Sequence, residues 1–282
     1  MQKLAGAWSK LVSGNAANGV LQLAIFAIAA QALELAALGI LILIQAYARV
    51  VDGVFNFQSV NVLTRFLAEA QEAGDEEKQR GLVKAGLVID FGTAILAVVA
   101  AIIGLPLVAP IIGIEANWVP LAMVYCLVIA TRAFGAIEAS LRCFDRFGAI
   151  GLRPVVASLA ILVGSLVAWA TGSSAEAFLW AWLLGEAIAN IVFLIWAIFS
   201  LRADGVGDIG SANAGAAIAS SEGFWPILWQ TNATFGIRML SQEGDVIVAG
   251  AVLGPAAAGL LRAAKNLANL VGQLGQVLCR SK

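Results

Sequence analysis

Gln45, Arg49, Asp52, Asn56 and Ser59 recur at spacings of four, three, four and three residues inside an otherwise apolar stretch. At 3.6 residues per turn, that spacing places all five on one face of a helix. A face of amide, guanidinium and carboxylate groups is suited to holding a polar solute. The same kind of stripe returns as Thr231, Thr234, Arg238, Ser241 and Asp245, and again as Arg262, Asn266, Asn269 and Gln273 with Lys265 beside it. Asn15, Asn18 and Gln22 interrupt the first apolar segment. Together Arg49, Arg238, Arg262 and Lys265 would make a shared cavity cationic, and charge-assisted hydrogen bonds would then select phosphate or carboxylate groups. Asp52, Glu243 and Asp245 would moderate that field, and Arg49 and Asp52, three residues apart, are placed to pair.

Interhelical hydrogen bonds offer a plainer account of such stripes, but each contributes only about 0.6 kcal/mol on average. A central Arg or Asp costs about 2.5–3.5 kcal/mol to insert, so the charged members point to a hydrated cavity. Outside the stripes stand Asp90, Arg132, Glu138 and the Glu186/Asn190 pair. Arg132 and Glu138 are expected to snorkel towards the headgroups. Asp90 and Glu186 stay open between buried structural groups and ion-coupling sites. The chain has no histidine and therefore no HExxH zinc site, and no GxxxxGK[ST] phosphate loop. Cys126, Cys143 and Cys279 have no metal-ligand spacing and read as small apolar residues. No cofactor, metal or nucleic-acid partner is expected, the net charge being −1.

The elements that must position these residues are membrane spans. Apolar residues make up 61% of the chain and charged residues 12%, with a mean hydropathy of +0.90, far from soluble norms. At roughly 20 residues per crossing, the sequence holds about eight spans, at 11–32, 36–60, 85–103, 117–139, 154–171, 177–199, 224–249 and 254–278. The first reads as a retained helix rather than a signal peptide, because it is interrupted by polar residues and lacks a small-residue cleavage site. Most of the 17 lysines and arginines lie in the termini and in alternate connections, which places both termini and those connections in the cytoplasm. Segment 64–84 reads as a solvated loop with a surface helix. The connection LRCFDRFGAIGLRP, with three arginines beside Phe144 and Phe147, suits the headgroup level beside anionic lipid. Residues 202–223, rich in Gly, Ala and Ser, read as a flexible linker.

Across that linker, Ala36-Ala37-Leu38-Gly39-Ile40 aligns with Ala256-Ala257-Ala258-Gly259-Leu260 at an offset of 220 residues, which carries Asn18 onto Arg238, Gln22 onto Gln242, Gln45 onto Lys265 and Arg49 onto Asn269. The repeat runs in parallel, as for two similar halves about an axis along the membrane normal. The expected organisation is an all-α transmembrane bundle: a six-helix lobe at 1–201, the linker at 202–223 and two helices of a second lobe at 224–282.

Thr64-Arg65-Phe66 followed by Gly74-Asp75, and Asp245, Gly250, Leu253-Gly254 and Gly259, resemble the oligosaccharide flippases of the multidrug/oligosaccharidyl-lipid/polysaccharide superfamily. The resemblance implies two six-helix lobes around a cavity lined by the first two helices of each, alternating access, and transport of polyprenyl-diphosphate-linked sugars across the cytoplasmic membrane. It also implies basic cavity residues facing the diphosphate, and glycan polymerase or export machinery as partners. The family's twelve or fourteen spans exceed the eight read here, so the second lobe is expected to be incomplete. Three rivals stand beside this reading. A cation-coupled multidrug exporter of the same superfamily would use Asp52, Asp90 and Glu186. A membrane-embedded glycan polymerase or transferase would need extracytoplasmic catalytic groups, yet the outer connections carry only Glu34, Glu115 and Glu176, so no enzyme is expected. The third rival is a nonfunctional fragment.

Overall fold

The computed structural model describes the backbone of residues 2–57, 59–203 and 209–280, and the side chains of 17–57, 59–200 and 209–269. Asn15, Arg202, Gln273 and Cys279 lie outside the described side chains. In chain order the helices are α1 (Gln2–Ala32), α2 (Leu35–Phe55), α3 (Val60–Glu72), α4 (Glu76–Ile112), α5 (Val119–Cys126), α6 (Gly135–Cys143), α7 (Phe147–Ala170), α8 (Ala175–Ala203), α9 (Ala214–Ala219), α10 (Phe224–Leu253) and α11 (Pro255–Arg280). Among the described residues there is no strand, and the all-α membrane bundle read from the sequence is the architecture found.

Among the described residues, five segments are long and apolar enough to cross a bilayer: Leu35–Phe55, Glu76–Ile112, Ala116–Cys143, Phe147–Ala170 and Ala175–Ser200. α10, at 30 residues, is also long enough, at about 45 Å by the helical rise. Its polar residues keep it, like the described part of α11, out of that set. The outer surface is apolar, with Ile103, Leu107, Ile111, Val163, Val167, Phe199 and Val252 exposed. Outward apolar groups around an interior that holds the polar ones are the arrangement a bilayer requires.

α2 is the central element. Its residues Leu38 to Ile44 are buried, and α4, α10 and α11 flank it. Close approach is set by small residues: a Cβ on Gly39 would lie 1.9 Å from the Pro255 carbonyl oxygen at the start of α11. On the other side, α1 packs along α7 and α7 along α8. There a Cβ on Gly185 would come within 2.8 Å of Ile161. Such crossings gain their stability from packing, since lipid tails are as apolar as the helix faces.

Several boundaries differ from the sequence reading, each for a local reason. The second span ends at Phe55, with Asn56 as its C-cap, so Ser59 falls at the start of α3 and leaves the stripe. α4 begins nine residues before the span at 85–103 because Asp75 caps it, accepting a 2.9 Å bond from the Lys78 amide. α7 begins at Phe147, which places Arg153 inside the helix. The fourth span is broken: α5 passes into a 3-10 turn at Leu127–Arg132, and the chain restarts as α6 at Gly135. Asp90 stabilises the restart by accepting a 2.6 Å bond from the Ala136 amide. Gly135 is needed there, because a Cβ would lie 2.8 Å from Ser59 Oγ and 3.0 Å from Asp90 Oδ2.

The linker is also corrected. Its described part is docked on α4 rather than free: Lys84 Nζ donates to the Gly210 and Ala212 carbonyls at 2.7 and 3.0 Å, and Lys78 Nζ to that of Ser220 at 3.1 Å. Ala217 of α9 is buried against Gly81, and Phe224 packs on Phe66 at 5.7 Å between ring centroids. These contacts, with Cys143 Sγ 3.8 Å from the Thr64 carbonyl, gather the connections around residues 74, 144 and 212 at one end of the bundle.

Candidate functional site

The polar interior is built from two ion-pair triads. In the first, Arg132 at the break in the fourth span bridges two carboxylates. Its Nη1 lies 3.0 Å from Asp52 Oδ2 on α2 and its Nη2 2.6 Å from Glu186 Oε1 on α8. Asn56 Nδ2 donates to Asp52 Oδ1 at 2.9 Å, and Asn190 Nδ2 to Thr131 Oγ1 at 3.1 Å. Only 12% of the Arg132 side chain is exposed. The expectation that Arg132 snorkels is therefore overturned: two acidic partners at mid-bundle outweigh the reach to the headgroups. Glu138 pairs one helical turn away with Arg142 at 2.6 Å.

In the second triad one carboxylate holds two arginines. Glu243 of α10 is buried, with Arg49 Nη1 of α2 at 3.2 Å and Arg262 Nη2 of α11 in direct contact. Arg49 and Asp52 consequently do not pair with each other. Three residues apart, they diverge to different partners, Arg49 to α10 and Asp52 to the broken span. The first triad carries a surplus negative charge and the second a surplus positive one, so together they are balanced.

A cavity of about 230 Å³ lies beside both triads. α1 lends it Asn18 and Gln22, and α2 lends Gln45 and Arg49. α7 and α8 contribute Arg153, Ser158, Trp182, Glu186 and Asn190, and α5 and α11 contribute Tyr125, Arg262 and Asn266. Ser158 Oγ donates to Asn18 Oδ1 at 2.6 Å and accepts from Gln22 Nε2 at 2.9 Å, a hydrogen-bonded wall between α1 and α7. The charged lining is Arg49, Arg153 and Arg262 against Glu186. Charge-assisted bonding in such a space favours an anion.

Of the residues singled out from sequence, the cavity gathers Asn18, Gln22, Gln45, Arg49, Arg262, Asn266, Glu186 and Asn190. The others lie elsewhere. Asp52 sits behind the wall, bound to Arg132. Arg238 is exposed on α10, and among the described residues it has no ion pair. Asn269 is likewise exposed, and Lys265 bonds Asp245 at 2.7 Å away from the cavity. Asp90 caps α6, with its Oδ1 buried and unpartnered among the described residues. The cavity is thus walled by α1, α2, α5, α7, α8 and α11, not by the expected set of spans one, two, seven and eight. α10 turns Asn232, Gly236, Glu243, Val246 and Gly250 inward and leaves Thr234, Arg238 and Ser241 outside. Sequence reasoning missed Arg132 and Arg153 as interior groups. The available signal for Arg153 was its position at the head of an apolar run, where a span beginning one or two turns before Pro154 takes it in.

No family model and no solved structure matches the chain. Over 275 residues, 98% of this chain and 77% of the relative, it is 26% identical to "Inner membrane protein YghQ" of Escherichia coli (strain K12). That similarity accords with the apolar exterior, and the chain is a helical membrane protein.

Proposed function

We propose that this protein is a transporter that moves polyprenyl-diphosphate-linked oligosaccharide across the cytoplasmic membrane by alternating access, with both termini in the cytoplasm. The observation that carries the reading is the cavity among the spans lined by Arg49, Arg153 and Arg262 against a single acid, Glu186. Hydrogen-bonding amides and hydroxyls from Asn18, Gln22, Gln45 and Ser158 would serve sugar hydroxyls beside the diphosphate.

Arg49 is the exchangeable member of its triad. About 36% of its side chain is exposed, against 12% for Arg262 and 7% for Glu243. An incoming diphosphate would draw Arg49 from Glu243 and loosen the tie between α2 and α10. At about 230 Å³ the cavity is below the 300–1,000 Å³ typical of small-molecule sites. It suits a headgroup in this conformation, and an oligosaccharide requires it to widen. Glycan polymerase or export machinery would receive the product.

The rival cation-coupled exporter requires acids free to bind protons or sodium. Asp52 and Glu186 are both held by Arg132, and Asp90 does not line the cavity. The test is a proteoliposome assay in which a fluorescent polyprenyl-diphosphate sugar becomes accessible to an impermeant quencher. Protein-dependent exposure that Arg49→Ala reduces supports the proposal. Rates equal to those of empty liposomes would remove it.

A further inference from the structure

We propose that the groove between α7 and α8 binds one anionic membrane phospholipid, its acyl chain against the apolar wall and its phosphate on Arg153. The groove has a volume of about 340 Å³ and is walled by Leu152, Val156, Val192, Phe193 and Trp196, with Arg153 as its charged member. Leu152, Val192 and Trp196 are 59%, 52% and 46% exposed, so the wall opens outward to lipid.

Arg153 supplies the reason for a charged headgroup. Its guanidinium lies 3.7 Å from the Phe134 ring centroid and 5.5 Å from that of Phe193. Ring contact supplies no hydrogen-bond acceptor, so the guanidinium N–H donors are left to be satisfied elsewhere. Nη1 is buried and has no acceptor among the described residues. The nearby acids are committed, Glu186 to Arg132 and Glu138 to Arg142, each at 2.6 Å. Arg153 lines the groove, so a rotation of its side chain would present this unmet donor to an acceptor that arrives with an apolar body attached. A phosphate oxygen matches Arg geometry best. Arg153 lies in the second turn of α7, near the end of the bundle where the charged connections gather, and this is the depth of lipid headgroups. Because Arg153 also lines the central cavity, a lipid bound here fixes one of the three cavity arginines from outside. The site requires only that the chain is a membrane protein, so it stands or falls separately from the transport proposal.

Gly148 provides a variant that leaves Arg153 intact. It lines the groove, and a Cβ there meets nothing within 4 Å, so Gly148→Trp puts an indole into the space without displacing backbone. The purified full chain, delipidated in detergent, is examined by native mass spectrometry with phosphatidylglycerol or diacylglycerol of the same acyl composition. The wild-type protein should retain one phosphatidylglycerol, preferred by at least about tenfold over diacylglycerol, which lacks the phosphate, the factor expected for one charge-assisted bond. Arg153→Gln should lose the preference, and Gly148→Trp should lose the bound lipid of either kind. Equal retention of the two lipids by the wild-type protein would overturn the proposal. So would unchanged phosphatidylglycerol retention in Gly148→Trp, which decides the matter even if Arg153→Gln is not recovered folded. Release of the lipid by millimolar inorganic phosphate would assign Arg153 to a soluble anion and overturn it equally.

Discussion

Arg49 and Arg132 both lie among the spans, with side chains 36% and 12% exposed, and have opposite roles. Arg132 is surrounded by Asp52 and Glu186 and is structural. Arg49 shares Glu243 with Arg262 and keeps an open side towards the cavity. Replacing Arg132 by Gln strands buried Asp52 and half-buried Glu186 and should destabilise the protein by about 3–5 kcal/mol, read as a lowered unfolding temperature in detergent. The triple neutral variant Arg132→Met with Asp52→Asn and Glu186→Gln should recover most of that loss. By contrast, Arg49→Ala should leave the unfolding temperature near that of the wild-type protein and cut transport by about 10–100-fold, the worth of a charge-assisted bond of about 1.5–3 kcal/mol. Arg142→Ala, whose partner Glu138 is one turn away outside the cavity, should change transport little. The sequence made Arg49 legible because it sits in a periodic stripe. Arg132 was illegible because its two partners lie 80 and 54 residues away, and isolated charges near a span end carry no periodicity that reveals such pairing.

At the scale of elements, the break in the fourth span couples several features. α5 and its 3-10 continuation deliver Arg132 to the interior, and Asp90 with Gly135 allows α6 to restart. Gly135→Ala forces a Cβ against Ser59 Oγ and Asp90 Oδ2 and should destabilise the protein by about 1–3 kcal/mol, measured by thermal unfolding. Helix existence was readable from apolar length, as for α2, α7 and α8. The break was not, since the stretch is continuously apolar from Trp118 to Ala130, and the cap that permits the restart comes from a residue 46 positions earlier. The linker misled for the opposite reason. Gly, Ala and Ser composition suggests freedom, but small residues also permit the close docking of α9 on Gly81.

At the scale of the molecule, the charged connections share one end, and α10 and α11 pack directly on α2 rather than forming a detached body. If that end is cytoplasmic, a cysteine replacing exposed Glu72 should resist an impermeant maleimide in intact cells and react in inverted vesicles, while Glu176→Cys should react in intact cells. Labelling in the reverse sense would invert the topology. The bilayer class was legible from hydropathy alone, and half of the cavity from the stripes on α1, α2 and α11. On α8 the sequence showed the Glu186/Asn190 pair, whereas the contribution of α7 was hidden, because Arg153 and Ser158 are single polar groups in an apolar helix and only the packing of α7 between α1 and α8 brings them to the cavity.

In the proposed function the cavity recognises an anionic headgroup through Arg49 and Arg262. The most direct measurement is equilibrium binding of a short-chain polyprenyl diphosphate and of the matching uncharged polyprenol to the purified protein in detergent, at two ionic strengths. The diphosphate should bind at least about tenfold more tightly than the alcohol, added salt should weaken it, and Arg49→Ala with Arg262→Gln should remove the difference. Equal affinity for the two lipids, or an unchanged preference in the double variant, would contradict it.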